Sequence, residues 1–334
     1  MSRIPWQREE RKTKRMIKSD VARYAFGVDI GGTTVKLGLF DKDGSVLDKW
    51  EIPTVKDNDG AAILPDIADS IRSKMQEKSI SPKQVVGVGV GAPGAVDDEG
   101  VMVNGAVNLG WGVFNISKVL NGYLDLPVKA ANDANVAAYG EMWQGGGKGC
   151  KNLVAVTLGT GVGGGIIVNG RILNGAVGGA GEIGHIHIED NEPEQCGCKN
   201  RGCLEQYASA TGVVRLARRR LDKDDSPSIL RGERLTAKAV FDAVKAGDAV
   251  ALEIAEQFGD YLGKGLAAVA DVVNPEVFVI GGGVSKAGEI LLSYIEPAFQ
   301  KYVFSACRGA RFTLATLGND AGIYGAAALV LRPS

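Results

Sequence analysis

Three of the chain's five cysteines fall in Cys196-Gly-Cys198-Lys-Asn-Arg-Gly-Cys203, and His185, one of only two histidines, lies 11 residues upstream. Three thiolates and one imidazole are a closed tetrahedral ligand set for Zn2+. Free thiols or a redox pair are the alternative; a disulfide does not suit a reducing compartment. The clustering of three Cys with one of two His favours zinc. With every ligand supplied by protein the metal is structural, and it fixes the loop that carries Glu182 and Glu205. Cys150 and Cys307 read as isolated buried thiols, and His187 as a neighbouring strand residue.

Glycine is the second signal. The chain has 47 Gly in 334 residues, about twice the usual share, and they are clustered. Three turns each follow an apolar strand: Gly31-Gly32-Thr33-Thr34, Gly159-Thr160-Gly161-Val162-Gly163 and Gly281-Gly282-Gly283. Such turns expose backbone N–H groups and let phosphate oxygens approach without a Cβ in the way. Together they fit two phosphate cradles and an adenosine shelf. A single turn of this kind is more often a tight hairpin; two Gly/Thr hairpins in duplicated positions favour a nucleotide. There is no G-x-x-x-x-G-K-[ST] segment, and Gly161-Val162-Gly163-Gly164-Gly165 lies between two strands, so Walker and Rossmann sites fit poorly. Asp29, ending the first strand beside its turn, reads as a contact to Mg2+ or its water. Lys36 reads as a sheet-surface charge.

Asn132-Asp133 sits at a strand-to-helix junction, where helix N–H groups favour an ionised carboxylate. Asp133 there can orient an alcohol and accept its proton during phosphoryl transfer, although a plain helix cap explains the position equally well. Its company favours the chemistry. Gly91-Ala92-Pro93-Gly94 is another glycine loop after a strand, Asn108 and Trp111 add an amide and an aromatic, and Glu182, His185 and Glu205 add two carboxylates and an imidazole. Such groups can each hold a hydroxyl of a polyhydroxylated ligand in a defined direction.

The elements that must position these residues alternate between strand and helix, which predicts the α/β class with two similar halves facing a cleft. Strands are expected at Ala25–Ile30, Val35–Phe40, Val46–Glu51, Val85–Val90 and Val128–Ala131, then at Leu153–Leu158, Ile166–Asn169, Val277–Ile280 and Phe312–Thr316. Helices are expected at Gly60–Lys78, from Asn132-Asp133 to Trp143, and at Ala237–Lys245, Ala249–Val273, Lys286–Lys301 and Ala321–Leu331. The segment from Leu153 repeats the plan begun at Phe26, with a period near 128 residues from Gly31 to Gly159. Gln144–Gly149 is the expected domain boundary.

Composition excludes several classes. Forty-five per cent apolar and 23 per cent charged residues are ordinary for a globular chain. The net charge of −1, from 38 basic and 39 acidic residues, gives no bulk attraction for nucleic acid or an anionic membrane. No apolar run reaches the roughly 18 residues of a spanning helix, and residues 1–20 contain no signal-peptide core; a soluble, cytoplasmic protein with no membrane or nucleic-acid partner is expected. Residues 1–20 hold seven Lys/Arg and three acids, which reads as a solvated arm. A winged DNA-binding head would need far more chain than precedes residue 25.

These residues resemble the ROK family (repressors, open reading frames and sugar kinases), closest to its bacterial ATP-dependent glucokinases. The resemblance rests on Val28-Asp29-Ile30-Gly31-Gly32-Thr33, Gly91-Ala92-Pro93-Gly94, Asn132-Asp133, Leu158-Gly159-Thr160-Gly161-Val162-Gly163-Gly164-Gly165, Glu182-Ile183-Gly184-His185, Cys196-x-Cys198-x-x-x-x-Cys203-x-Glu205 and Ile280-Gly281-Gly282-Gly283. It implies a two-domain actin-like, ribonuclease-H-like kinase that closes on ATP-Mg2+ and a hexose, glucose before others, and that forms a homodimer or homotetramer. Asp133 is then the base for the sugar 6-hydroxyl. Asn132, Glu182, His185 and Glu205 hold sugar hydroxyls, with Gly94 and Asn108 beside them and His185 also on zinc. Asp29, Gly31, Gly32, Thr33, Thr34, Gly159, Thr160, Gly161, Gly163, Gly281, Gly282 and Gly283 face the nucleotide. The implied organisation is an arm at 1–23, a smaller domain at 24–143 to which the helix 320–334 returns, and a larger domain at 144–319. One departure stands out: the family usually reads Cys-x-Cys-Gly-x-x-Gly-Cys, and Lys199 occupies the first glycine, which predicts a lysine at positive φ. Kinases for N-acetylmannosamine, N-acetylglucosamine, fructose or allose share these motifs, as do sugar-sensing regulators of the family. An actin-like chaperone or filament protein explains the nucleotide loops but not the zinc loop.

Overall fold

The computed structural model describes residues 21–232 and 234–332; the basic arm at 1–20 lies outside the described residues. The described residues divide into two compact units, one formed by 21–136 with 322–332, the other lying within 137–321.

The first unit is built on strands β1 (Tyr24–Ile30), β2 (Thr34–Asp41), β3 (Val46–Pro53), β4 (Val85–Ala92) and β7 (Val128–Asn132), with a small ribbon of β5 (Val101–Met102) and β6 (Phe114–Asn115). The sheet order is β3-β2-β1-β4-β7; the first three strands are antiparallel, and β4 and β7 join in parallel. The sequence dictates this arrangement. β1 and β4 are near-continuous apolar runs that are covered on both faces, as central parallel strands must be, whereas the edge strand β3 alternates between half-buried and exposed residues. Helix α1 (Ile63–Glu77) turns Ile63, Leu64, Ile67, Ala68, Ile71 and Met75 inward. It begins later than the expected Gly60 because Asn58, Asp59 and Gly60 all stand at positive φ, which breaks a right-handed helix. Helix α2 (Ile116–Leu124) adds an element beyond those the sequence pattern predicts; it is nine residues long and is capped by Asn115, which accepts from the Lys118 N–H. Helix α3 (Asp133–Gln144) leads out of this unit.

The second unit repeats the plan with β8 (Leu153–Leu158), β9 (Val162–Val168), β10 (Arg171–Ile172), β11 (Val277–Gly281) and β12 (Arg311–Leu314), in the order β10-β9-β8-β11-β12. Three antiparallel strands are again followed by two in parallel. The identical order and sense are the structural counterpart of the sequence repeat. β9 starts at Val162 rather than Ile166. Its glycines run inside the strand because the chain packs hard against them; a Cβ on Gly164 would lie 2.5 Å from the Gly181 carbonyl oxygen. Helices α4 (Ala210–Leu221), α5 (Ala237–Lys245), α6 (Ala249–Val273) and α7 (Ile290–Tyr302) enclose a core that includes Tyr207, Phe241, Phe258, Phe278 and Phe299. No helix among the described residues is long and apolar enough to cross a membrane.

Helix α8 (Ala321–Leu331) returns to the first unit and lies on its sheet. The contact is backbone to backbone. A Cβ on Gly27 would lie 2.0 Å from the Ile323 carbonyl oxygen, and one on Gly89 would lie 1.7 Å from that of Ala326. Overpacking of this kind has no side chain to yield. Gly89→Ala should therefore destabilise the protein by about 3 kcal/mol, read as a lower denaturant midpoint, whereas Gly149→Ala, at an open position with positive φ, should cost only about 1 kcal/mol.

Candidate active site and metal centre

In the first unit the candidate residues gather at the ends of β1, β4 and β7. Asp29 is half-buried near the end of β1, paired with Lys36 on one side and Gly91 on the other. Burial above all, and then the Asp133 carboxylate, push Asp29 up to about 6, while Lys36 pulls the other way. Two carboxylates held close in partial burial are a donor set that a divalent cation relieves. The adjoining turn is closed by Gly31 N–H donating to the Thr34 carbonyl at 3.0 Å. It is braced from β3's end by Thr54, whose hydroxyl donates to the Gly31 carbonyl and whose N–H donates to Thr33. Thr54 is buried and carries no motif, so sequence reasoning missed it. Asn108 approaches this turn: its Nδ2 is 3.9 Å from where a Gly32 Cβ would sit.

At the β7–α3 junction the cap is Asn132, not Asp133. Asn132 Oδ1 accepts from the Asn135 N–H at 3.1 Å, and its Nδ2 donates to the Gly94 carbonyl and to Asp133 Oδ1, both at 3.0 Å. Asp133 Oδ1 also accepts from the Ala134 N–H at 2.8 Å. The amide therefore does the capping and orients the carboxylate beside it.

In the second unit the turn after β8 is a tight hairpin, Gly159 N–H donating to the Gly161 carbonyl, with Gly163 inside β9 opposite Thr157. The start of α4 grips this hairpin: Ala210 N–H donates to Gly159 and the Thr211 hydroxyl to Thr160. The third glycine turn lies against the same hairpin, since a Cβ on Gly282 would lie 2.5 Å from the Leu158 carbonyl oxygen. A cavity of about 600 Å3 opens next to Thr160, with Ala210, Val214, Leu235 and Ala237 as apolar walls and Thr211, Arg215 and Arg218 among its polar groups. Apart from Thr160, its walls come mainly from α4 and the residues that lead into α5, which show no motif in the sequence.

His185, Cys196, Cys198 and Cys203 converge, with their ligand atoms within 4.8 Å of one another. Cys198 Sγ and Cys203 Sγ are 3.5 Å apart, and Cys196 Sγ is 3.8 Å from His185 Nδ1. Tetrahedral zinc, with bonds of about 2.3 Å to sulfur and about 2.0 Å to nitrogen, spaces its donors roughly 3.5–3.8 Å apart, so the four residues fit the ion. Burial, and then the hydrogen bond to Glu205, push the Cys196 thiol up to about 12; a dication is what makes such a thiolate set favourable. Glu205 Oε1 accepts from Cys196 Sγ at 2.9 Å and lies 3.7 Å from His185 Nδ1. Glu182 precedes the short turn Ile183–His185, which is pressed on β9; a Cβ on Gly184 would lie 2.1 Å from the Val162 carbonyl oxygen. Lys199 has φ of 72°, the conformation its position predicts.

The ROK family profile matches residues 25–333. The chain belongs to the ROK family. A glucokinase of Halalkalibacterium halodurans is 46% identical over 313 residues, covering 92% of this chain and 95% of that one. A glucokinase of Thermotoga maritima is 37% identical, covering 91% and 96%. Among solved structures, a ROK family glucokinase from Streptomyces griseus in complex with glucose and AMPPNP is 34% identical, with a TM-score of 0.68 and coverage of 92% and 98%. The two-unit α/β architecture is thus the actin-like sugar kinase fold of ROK structures.

Two measurements test these local readings. The purified ROK protein should carry one zinc per chain by elemental analysis, and Lys199→Gly should keep that zinc while gaining about 1 kcal/mol by relieving left-handed backbone. Asp29→Asn should stabilise the ligand-free protein, on the order of 2 kcal/mol at about pH 8. Asp29 titrates higher when folded than its ordinary 3.8, so its charge opposes folding at high pH. The gain is full above about 6 and shrinks as pH falls towards 3.8, which thermal unfolding across pH would show.

Proposed function

We propose that the protein transfers the γ-phosphoryl group of ATP to the 6-hydroxyl of glucose, giving glucose 6-phosphate and ADP. The observation that carries this reading is identity of 46% to a glucokinase across 92% of the chain. A relative at 34% identity holds glucose and the ATP analogue AMPPNP together.

In this reading Asp133 accepts the hydroxyl proton as the oxygen attacks phosphorus and the bond to the β-phosphate breaks. What supports that role is the division of labour at the helix start: Asn132 takes the cap and donates to Asp133 Oδ1, so the carboxylate is aimed without having to cap the helix. Backbone N–H groups of Gly32-Thr33-Thr34 and of Thr160-Gly161 receive phosphate oxygens, within turns closed by Gly31 and Gly159, and the cavity beside Thr160 receives the nucleoside, with Gly281-Gly282-Gly283 against the same hairpin. Asn108, Glu182, His185 and Glu205 take sugar hydroxyls. Asp29 holds Mg2+ or its water; the bound ion supplies neutralisation of charge on the transferring phosphoryl group. Zinc on His185 and the three cysteines supplies structure alone, since all four positions are filled by protein.

ADP release measured across a panel of hexoses and N-acetylhexosamines tests the reading. Turnover with glucose well above the rest supports it; activity confined to an acetylated sugar replaces the substrate and keeps the mechanism. Asp133→Asn should lower kcat by about 10²–10⁴-fold with glucose affinity, by calorimetry, nearly unchanged. Equal loss of both would remove the base role.

A further inference from the structure

Gly322, the second residue of α8, has no place in any nucleotide or sugar motif, yet it faces Asp29. A Cβ built on it would lie 2.4 Å from Asp29 Cγ, 2.4 Å from Oδ2 and 2.9 Å from Asp29 Cβ. Real Cβ contacts do not come so close, so something would have to move, and both backbones resist it. Asp29 sits in a central strand with hydrogen-bonded neighbours on both sides. Helix α8 is held down at the next residue and again a turn later, where the Ile323 and Ala326 carbonyls press on Gly27 and Gly89. Rotation of the Asp29 carboxyl relieves the two closest contacts and leaves the Cβ–Cβ contact at 2.9 Å.

We propose that Gly322 is a positioning residue for Asp29: its missing side chain is the space in which the Asp29 carboxylate stands. The proposal rests on the proposed role of Asp29 in serving the Mg2+–nucleotide complex. A methyl group at position 322 swings that carboxylate away from the nucleotide side or forces α8 off its seat. The first outcome is specific to metal and nucleotide; the second would weaken the whole unit.

A double-variant cycle separates them. Gly322→Ala, Asp29→Ala and the combined variant are compared with the parent protein for thermal unfolding, glucose affinity by calorimetry, and glucose phosphorylation as Mg2+ and ATP are varied. The expected result is that Gly322→Ala lowers kcat/KM for Mg2+–ATP by about 10²-fold and raises the Mg2+ concentration for half-maximal rate. Glucose affinity should stay within about twofold. Because Asp29→Ala removes the two atoms at 2.4 Å and leaves only the Cβ at 2.9 Å, adding Gly322→Ala to it should cost no further rate and less stability than Gly322→Ala costs alone. Losses that simply add would overturn the proposal, as would a Gly322→Ala protein with wild-type Mg2+ dependence. Should Gly322→Ala alone fail to fold, recovery of folding in the combined variant supports the proposal and continued failure rejects it. An Asp29→Ala protein with undiminished Mg2+–ATP use would instead remove the catalytic reading of Asp29, while the unfolding data still report on the clearance.

Discussion

The first unit depends on one close contact, the backbone of α8 lying directly on β1 and β4. Gly27 and Gly89 are glycines because carbonyl oxygens of the helix occupy the places of their side chains. Such a seat gains dispersion from atoms in direct contact and tolerates no added methyl. The same seat fixes the entrance of the helix, and with it Gly322 against Asp29. Sheet, helix and the Asp29 carboxylate are thus one packed assembly, in which the apolar run of β1 carries its one acidic residue next to its end.

The second unit has a comparable junction on a polar theme. Glu205 follows the last cysteine by two residues and connects two sites: one carboxylate oxygen lies by Cys196 and His185, and a Cβ on Gly161 would lie 2.5 Å from the other. The Cys/His cluster therefore reaches the second glycine hairpin through a single side chain. Gly161 gives that side chain room, a different service from offering its N–H to a phosphate, and both can be required of one residue.

Much of this was legible in sequence because strong apolar periodicity and glycine punctuation report local structure well. β8, α5, α6 and α8 begin and end where the patterns place them, and the repeat from Gly31 to Gly159 reappears as two sheets of identical order. The Cys/His cluster was equally plain, since Cys and His are scarce in this chain and three thiols beside an imidazole are rarely grouped for packing alone. Three kinds of feature stayed hidden. Short helices such as α2, and α4 with its basic run, have too little pattern to declare themselves. Strained segments such as Asn58-Asp59-Gly60 delay the start of a helix through backbone conformation alone. Residues whose work is to be small or to brace a turn, Gly322 and Thr54 among them, acquire meaning only from what the fold brings beside them. The junction at Asn132-Asp133 lies between these cases: the pair could be found, but which of the two caps the helix was a matter of side-chain geometry.

The path of the chain carries a consequence for its birth. The helix that completes the first unit is encoded after the entire second unit, so a ribosome emits every strand of the first sheet long before it emits the helix that covers β1 and β4. During that interval the glycine-paved strip between them is bare backbone and small apolar surface, open to wrong partners. The second unit, contiguous in the chain, can close first. The order of maturation is then the reverse of the order of synthesis, and the half that bears Asp29 and Asp133 becomes competent last.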